Sequence, residues 1–346
     1  MAKVKPITVG VVGLGRIGWD HHVKTLLKKP DYRVVACADV LADRRREAEE
    51  VVGCPTFATP QELFDSGLAE LAVICTRSND HGPHTLAAFK AGMHVVCEKP
   101  MAQSLREADG MIAAARRARR VFTIHHNWRD RNDARFVRQT IASGILGKVF
   151  WIRYSVQSFF RRNDWQQLKK YGGGFLNNNG SHAIDNALML LESPVADVWG
   201  DLKHTVTAGD ADDWLKVVLR GKNGRVIEVE QSYACVIPPP TWLVAGTCGT
   251  MQVVNGEATI RYFDPTKVKP ITVIDAAPDG RKYGNDDKLP WQAQLVAAKP
   301  ADDAPDFYDN LAGAIRKGRK LFITPESVRE QIRVLDAIRK CAGWKN

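Results

Sequence analysis

The chain has no apolar run approaching the roughly 18 residues that a membrane-spanning helix requires, and Met1 to Pro6 lacks the apolar core of a secretory leader. A cytoplasmic protein with no membrane partner is the expectation. Cysteine pairing is also missing. The seven cysteines, Cys37, Cys54, Cys75, Cys97, Cys235, Cys248 and Cys341, are odd in number and form no C-x-x-C pair, and several lie in apolar strand-like runs. They read as reduced core residues. With no paired Cys/His ligand spacing, no metal is expected. No internal repeat or low-complexity segment interrupts the 346 residues, of which 45% are hydrophobic, which is material for two domains.

Positive charge is what the chain has in excess, at a formal +10. Arg44 to Arg46 and the run "RRARR" at Arg116 to Arg120 are local material for a nucleic-acid surface. In "READGMIAAARRARR", however, Met111, Ala114 and Ala115 fall on the opposite side of a helix. Both runs are therefore expected to be solvated helix faces, with no nucleic-acid partner. A basic surface also attracts a doubly anionic dinucleotide.

A G-x-G-x-x-G match at Gly13, Gly15 and Gly18 is weak alone, and its neighbours give it weight. "ITVGVVGL" before it is apolar on both alternations, as a strand buried on both faces of a parallel sheet should be. "WDHHVKTLLKKP" after it has helical spacing at Val23, Leu26 and Leu27 and stops at Pro30. A second strand, "YRVVACADV", ends at Asp39, about 20 residues beyond the loop, where a dinucleotide fold places its ribose-binding acid. Gly13 permits the tight turn, Gly15 lets the backbone approach a pyrophosphate, and Gly18 lets the helix pack close to the strand. The phosphates would meet helix N-terminal N–H groups. A carboxylate at 39 accepts from a ribose hydroxyl and repels a 2′-phosphate, which favours NAD, while Arg44 to Arg46 leave NADP possible.

Strand-like "LAVICT", helical "HTLAAFKAG", strand-like "HVVCEKP", helical "SLREADGMIAAARRARR" and strand-like "VFTIHH" follow. Such alternation means a doubly wound parallel sheet, with ligands at the carboxyl ends of its strands. Thr76, Glu98, Lys99 and His125 fall there. From Lys148 the texture changes to alternating runs, including "KVFWIRYSVQSFF", "DDWLKVVLRG", "GRVIEVEQSYACV", "TWLVAG" and "GTMQVVN". These predict about six largely antiparallel strands, with hairpin turns at "KNG" and "CGT". The tail predicts two helices, the second with Thr324 as N-cap and Pro325 at its first position. The chain thus reads as α/β: a Rossmann-type doubly wound domain over 1–124, and an α+β domain over 125–346 with a large, mostly antiparallel sheet.

Four stretches, "VGLGRIG", "TRSNDHGPHTLAAFKAGMHVVCEKPMAQSLREA", "NWRDRNDARFVRQTIASGILGKV" and "GGGFLNNNGSHAID", resemble the Gfo/Idh/MocA oxidoreductases, which include glucose-fructose oxidoreductase and inositol dehydrogenases. The likeness covers nearly the whole chain. It implies a cofactor site of Gly13, Gly15, Arg16, Ile17, Gly18, Asp39, Arg44, Thr76, His81, Glu98 and Lys99. It places the family's E-K-P motif on Glu98, Lys99 and Pro100, and its D-x-G-x-H motif on Asn178, Gly180 and His182. The first letter of the second motif departs, with Asn178 where many relatives have aspartate.

The chemistry the likeness implies is hydride transfer between a nicotinamide and a secondary alcohol of a sugar, inositol or related polyhydroxylated compound. His182 suits the base, Lys99 can stabilise or pass the hydroxyl proton, and Asn178 can bond either without carrying charge. Asp185, one helical turn from His182, either orients it, binds substrate or makes a structural ion pair. Trp128 and Arg129 are candidates for substrate contact or hinge packing. Arg162 and Trp165, in "FFRRNDWQQLKKYGGG", belong to a mixture suited to sugar binding or to an exposed loop. A homodimer or homotetramer through the carboxyl-terminal sheet is implied too. Two other readings remain open here: a non-catalytic ligand sensor, which Asn178 admits, and a redox-neutral enzyme with tightly held NAD.

Overall fold

The computed structural model describes residues 5–273, 275–277, 280 and 287–344. Residues 1–4, part of the stretch read for a leader, lie outside the described residues. Strands β1 (Ile7–Val12), β2 (Tyr32–Ala38), β3 (Thr56–Phe57), β4 (Leu71–Ile74), β5 (His94–Glu98) and β6 (Phe122–His125) form a parallel sheet in the order β3-β2-β1-β4-β5-β6. The order reverses between β1 and β4, which opens a crevice at the strands' carboxyl ends. Strands β4 and β6 are buried throughout, as their unbroken apolar runs require.

The helix expected after Gly18 is irregular. A π-helical segment, Ile17–Val23, runs into a short α1 (Lys24–Leu26). Its wide turn lets two consecutive side chains, His21 and His22, both reach the His125 ring, with centroids 4.6 and 4.7 Å away. Helices α2 (Ala42–Val52), α3 (Pro60–Asp65), α4 (His81–Lys90) and α5 (Leu105–Ala118) complete the two layers. Members of the arginine runs bond groups of the protein: Arg45 the Asp39 and Val40 carbonyls, Arg46 Asp43, Arg116 Glu326 and Arg120 the Gly92 carbonyl.

After α6 (Asn132–Ala142), strand β7 (Val149–Gln157) opens a second sheet, and α7 (Ser181–Leu191) precedes the rest of it. The remaining strands are β8 (Val195–Lys203), β9 (Trp214–Gly221), β10 (Val226–Ser232), β11 (Trp242–Gly246), β12 (Gly249–Val254), β13 (Glu257–Tyr262) and β14 (Gln292–Ala297). Their order is β14-β13-β12-β11-β7-β10-β9-β8, with β7 and β10 parallel and the other neighbours antiparallel. The sheet therefore has eight strands where about six were expected. Strand β14 is exposed along its whole length, so it carries no in-out alternation for sequence to reveal.

The tail forms α8 (Phe307–Lys317) and α9 (Pro325–Cys341), with the Thr324 hydroxyl accepting from Ser327 N–H at 3.3 Å as the cap requires. Helix α8 buries Tyr308 and Leu311 against Ile7, Val9 and Tyr32 of the first sheet. Helix α9 packs on β8, α5 and α7, so it joins the two sheets. It seats Ile338 over Gly200, where a Cβ would lie 2.8 Å from the isoleucine Cγ2. Among the described residues no helix is long and apolar enough to cross a membrane. Leu335→Ala, in the fully buried face of α9, is expected to cost about 2–5 kcal/mol. Urea unfolding measures this, and a loss below about 1 kcal/mol would show that α9 is not part of the cooperative core.

Candidate active site

The glycine loop follows β1. Gly13 has φ +92°, and a Cβ there would lie 2.6 Å from the Cys75 carbonyl oxygen, while one at Gly18 would lie 1.9 Å from the Gly13 oxygen. Both positions are closed to side chains by the protein itself. Gly15 differs: the nearest atom to its would-be Cβ is Arg44 Nη1 at 3.9 Å, so the space beside it is open. An open glycine at the start of a helical segment fits a pyrophosphate cradle. Arg16 and Ile17 are exposed at its rim.

Asp39 follows β2 with its carboxylate buried. Oδ2 accepts from Leu14 N–H at 2.8 Å and Arg44 Nη1 at 3.2 Å, and Oδ1 from Leu41 N–H at 2.9 Å. The ribose candidate thus also ties the glycine loop to β2. Thr76, beyond β4, bonds His84 Nδ1 through its hydroxyl at 3.1 Å. His81 is buried, with Nδ1 at 2.8 Å from the Pro100 carbonyl and Nε2 at 3.2 Å from that of Thr76. It braces the end of β4 against the E-K-P segment.

Strand β5 delivers Glu98 into a buried network. Its Oε1 faces His22 Nε2 at 2.9 Å and His125 Nδ1 at 2.7 Å, and its Oε2 accepts from Lys99 N–H at 3.2 Å. His22 Nδ1 meets Tyr308 Oη at 2.5 Å, and His125 Nε2 meets His21 Nε2 at 3.0 Å. One proton assignment satisfies every contact. Tyr308 donates to His22, His22 and His125 donate to Glu98, and His21 donates to His125. Burial pushes the Glu98 carboxyl up, but His125 and His22 together hold it well below the usual range. His22, Glu98 and His125 also bring three potential metal-ligand atoms within 4.8 Å of one another, a grouping the sequence spacing concealed.

Lys99 follows across a cis bond to Pro100. Its Nζ donates to Asn178 Oδ1 at 2.9 Å and to the Asn178 carbonyl at 3.1 Å. Burial lowers its pKa to about 8; Glu98 opposes this, and Arg162 and Arg16 assist it. Asn178 lies in a π-helical turn, Leu176–Gly180, that leads into α7. Its amide donates to Gln166 Oε1 at 3.3 Å, an oxygen that Arg162 also reaches. Arg162 makes paired bonds to Asp164 at 3.0 and 2.8 Å. Trp165 is half-buried in the turn Trp165–Gln167, and among the described residues it makes no hydrogen bond or ring contact with Lys99, Asn178 or His182.

His182, in the first turn of α7, is buried, and its ring stacks on Trp128 with centroids 4.5 Å apart. Its Nδ1 lies 3.3 Å from His126 Nδ1. Burial, then the Lys99 charge and His126, holds its pKa well below the ordinary 6.5. Asp185 does not bond it. Instead Asp185 receives Arg129 through two 2.7 Å bonds, both partners buried, while Arg129 Nη1 reaches Ser327 at 3.0 Å. Of the expected residues, Lys99, Asn178 and Arg162 are thus linked in one chain of contacts through Gln166, and Trp128 and His182 touch each other. Arg129 and Asp185 are committed to one another. Sequence reasoning missed His22, His126, Tyr308 and Gln166; the doubled "HH" at 21–22 and 125–126 was the available signal.

A doubly wound sheet with an open glycine at its first turn, and a second domain that sets an amide against the lysine just beyond β5, defines a two-domain dinucleotide-fold protein. Residues 7–126 match the model for the oxidoreductase family with an NAD-binding Rossmann fold, and residues 134–252 match the GFO/IDH/MocA C-terminal domain. Myo-inositol 2-dehydrogenase of Thermotoga maritima is 30% identical over 234 residues, covering 66% of this chain and 69% of that protein. The 2,7-anhydro-N-acetylneuraminate hydratase of Escherichia coli is 26% identical over 288 residues, 81% of this chain and 76% of that one. A solved NAD-binding protein from Listeria innocua superposes with a TM-score of 0.84 at 24% identity, covering 98% of this chain and 95% of that one. The chain belongs to the Gfo/Idh/MocA oxidoreductase family.

Burial lowers the pKa of His22 and His126 to about 4. Between about pH 4 and 6.5 they bind fewer protons folded than unfolded, so stability is full above 6.5 and falls as the pH drops toward 4. Thermal unfolding from pH 7.5 to 4.5 is expected to show a falling Tm, less steep in His22→Gln. A Tm flat across that range would show that these imidazoles are not held neutral.

Proposed function

We propose that the chain is an NAD(P)-dependent dehydrogenase that moves a hydride between the nicotinamide and a secondary alcohol of a sugar, inositol or related polyhydroxylated substrate. The observation that carries this reading is the Lys99 ammonium on Asn178 Oδ1 at 2.9 Å, beside Glu98 and within the electrostatic reach of His182. The myo-inositol dehydrogenase relative supports the substrate class. The bound dinucleotide supplies the hydride acceptor or donor. Gly15 leaves room for it, Gly13 and Gly18 let the turn and the following segment pack tightly beside it, Arg16, Ile17 and Thr76 lie along its path, and Asp39 favours the unphosphorylated ribose of NAD.

Lys99, with a pKa near 8, is the group that takes the hydroxyl proton at Nζ, and Asn178 aims it. His182, whose basicity burial suppresses, hydrogen-bonds the reacting oxygen instead of serving as the base that its type alone would favour. Gln166, Arg162, Trp165 and Trp128 line the substrate side, while His81, Arg129 and Asp185 hold the walls. The hydratase relative favours one second reading: a redox-neutral cycle in which transient oxidation labilises a bond, with NAD retained between turnovers. Exposed Phe150, Trp199 and Leu295 on the second sheet support self-association through that face, and light scattering showing only monomer would remove this part.

NAD reduction across a panel of sugars, inositols and uronic acids is expected to find a substrate. On it, kcat/KM for oxidation should rise with pH through about 8, as Lys99 loses its proton. Lys99→Ala should lose on the order of 10²–10⁴ in turnover. No substrate in the panel, together with NAD released on denaturation, would favour the redox-neutral cycle. By calorimetry Asp39→Ala is expected to weaken NAD more than NADP, and equal losses would overturn the cofactor preference.

A further inference from the structure

We propose that His126 is a positioning residue for His182: held as an Nδ1–H donor by Asp185, it bonds Nδ1 of His182 and leaves His182 a neutral imidazole protonated on Nε2. The two Nδ1 atoms are 3.3 Å apart, and both rings are buried. A contact between two ring nitrogens holds one proton, so one histidine must donate and the other accept.

Two observations say which. Asp185 Oδ2 lies 3.7 Å from the same His126 Nδ1, and its charge favours a proton on that atom. The opposite assignment would put the His126 proton on Nε2, which is buried and has no hydrogen-bond partner among the described residues. A buried N–H without an acceptor is the arrangement that folded proteins avoid most strictly. Arg129 fixes Asp185 through its two 2.7 Å bonds, so the carboxylate cannot swing away. Trp128, stacked at an 11° interplanar angle, fixes the plane of the His182 ring.

Charging either ring as an alternative is opposed from several elements. Lys99 and Arg129 repel a proton on His126, and Lys99 and His125 repel one on His182; Glu98 favours charge on both, and Asp185 on His126. Burial is the largest influence on each, and it favours the neutral pair.

What the donor is for rests on the dehydrogenase reading. A neutral Nε2–H can stabilise charge developing on the reacting oxygen while Lys99 carries the proton. In this chain the Asp185–His126 pair would thus orient the histidine, a task that Asn178, bonded to Lys99, is not engaged in.

The test is long-range proton–nitrogen NMR on protein labelled with 15N-histidine, which distinguishes Nδ1–H from Nε2–H rings. His182→Ala assigns the signal. The wild type is expected to show His182 as the Nε2–H tautomer, and His126→Asn, whose amide nitrogen replaces the Nδ1 donor, is expected to preserve it. His126→Leu removes the donor and should shift His182 toward Nδ1–H. An Nδ1–H tautomer in the wild type, or an unchanged His182 in His126→Leu, would overturn the proposal. Should His126→Leu fail to fold, the wild type and His126→Asn still decide, since Nδ1–H in either overturns it. The spectra need no substrate. An Nε2–H ring in a protein without turnover would therefore remove the dehydrogenase reading and leave the tautomer assignment intact.

Discussion

Glu98 is the point on which the rest of the site depends. One carboxylate receives His22 from the glycine-loop segment, His125 from the end of β6 and the backbone N–H of Lys99, while Tyr308 of α8 holds His22 from behind. The dinucleotide turn, two strands and a helix nearly 300 residues away in sequence are thereby referred to a single charge. A buried charge is tolerable because each oxygen is hydrogen-bonded, and removing one partner would leave the charge uncompensated in a medium that penalises it strongly. The direction in which Lys99 leaves the sheet follows from this anchoring.

Lys99 shows the balance of two electrostatic effects. Burial disfavours its charged form, and Glu98 next to it favours that form; the outcome is an ammonium that loses its proton near pH 8. Asn178 fits this balance. An aspartate in its place would accept the same hydrogen bond but set a second negative charge against Nζ, raising its proton affinity. The amide orients the lysine without that effect. Its loss as a partner for His182 is matched by His126, which stands against the imidazole from the β6 side.

The framework was legible in the sequence because its signals are local. The glycine turn, the unbroken apolar strands, the caps at Thr324 and Pro325 and the E-K-P segment each occupy a few consecutive residues whose backbone demands are set by their own chemistry. Where local signal was weak, the reading fell short. Strand β14 has no buried face, β3 spans only Thr56–Phe57, and the segment after Gly18 is π-helical where helical spacing alone implies a regular helix. Asp185 illustrates the limit at the site itself: its position one turn from His182 left orientation of the imidazole, substrate contact and a structural ion pair all open, and only the fold shows its carboxylate paired with Arg129.

The sequence by itself determined which residues stand at the carboxyl ends of the strands, and hence that Asp39, Glu98 and Lys99 would lie along that edge of the sheet. Tertiary structure alone decided their partners. His21 and His125 are 104 residues apart, His22 and Tyr308 are 286, and His126 and His182 are 56, so these contacts exist only once both domains and the tail helices have packed. A side chain's proton affinity and tautomer belong to its surroundings, which burial and neighbouring charges set, and no stretch of sequence contains them.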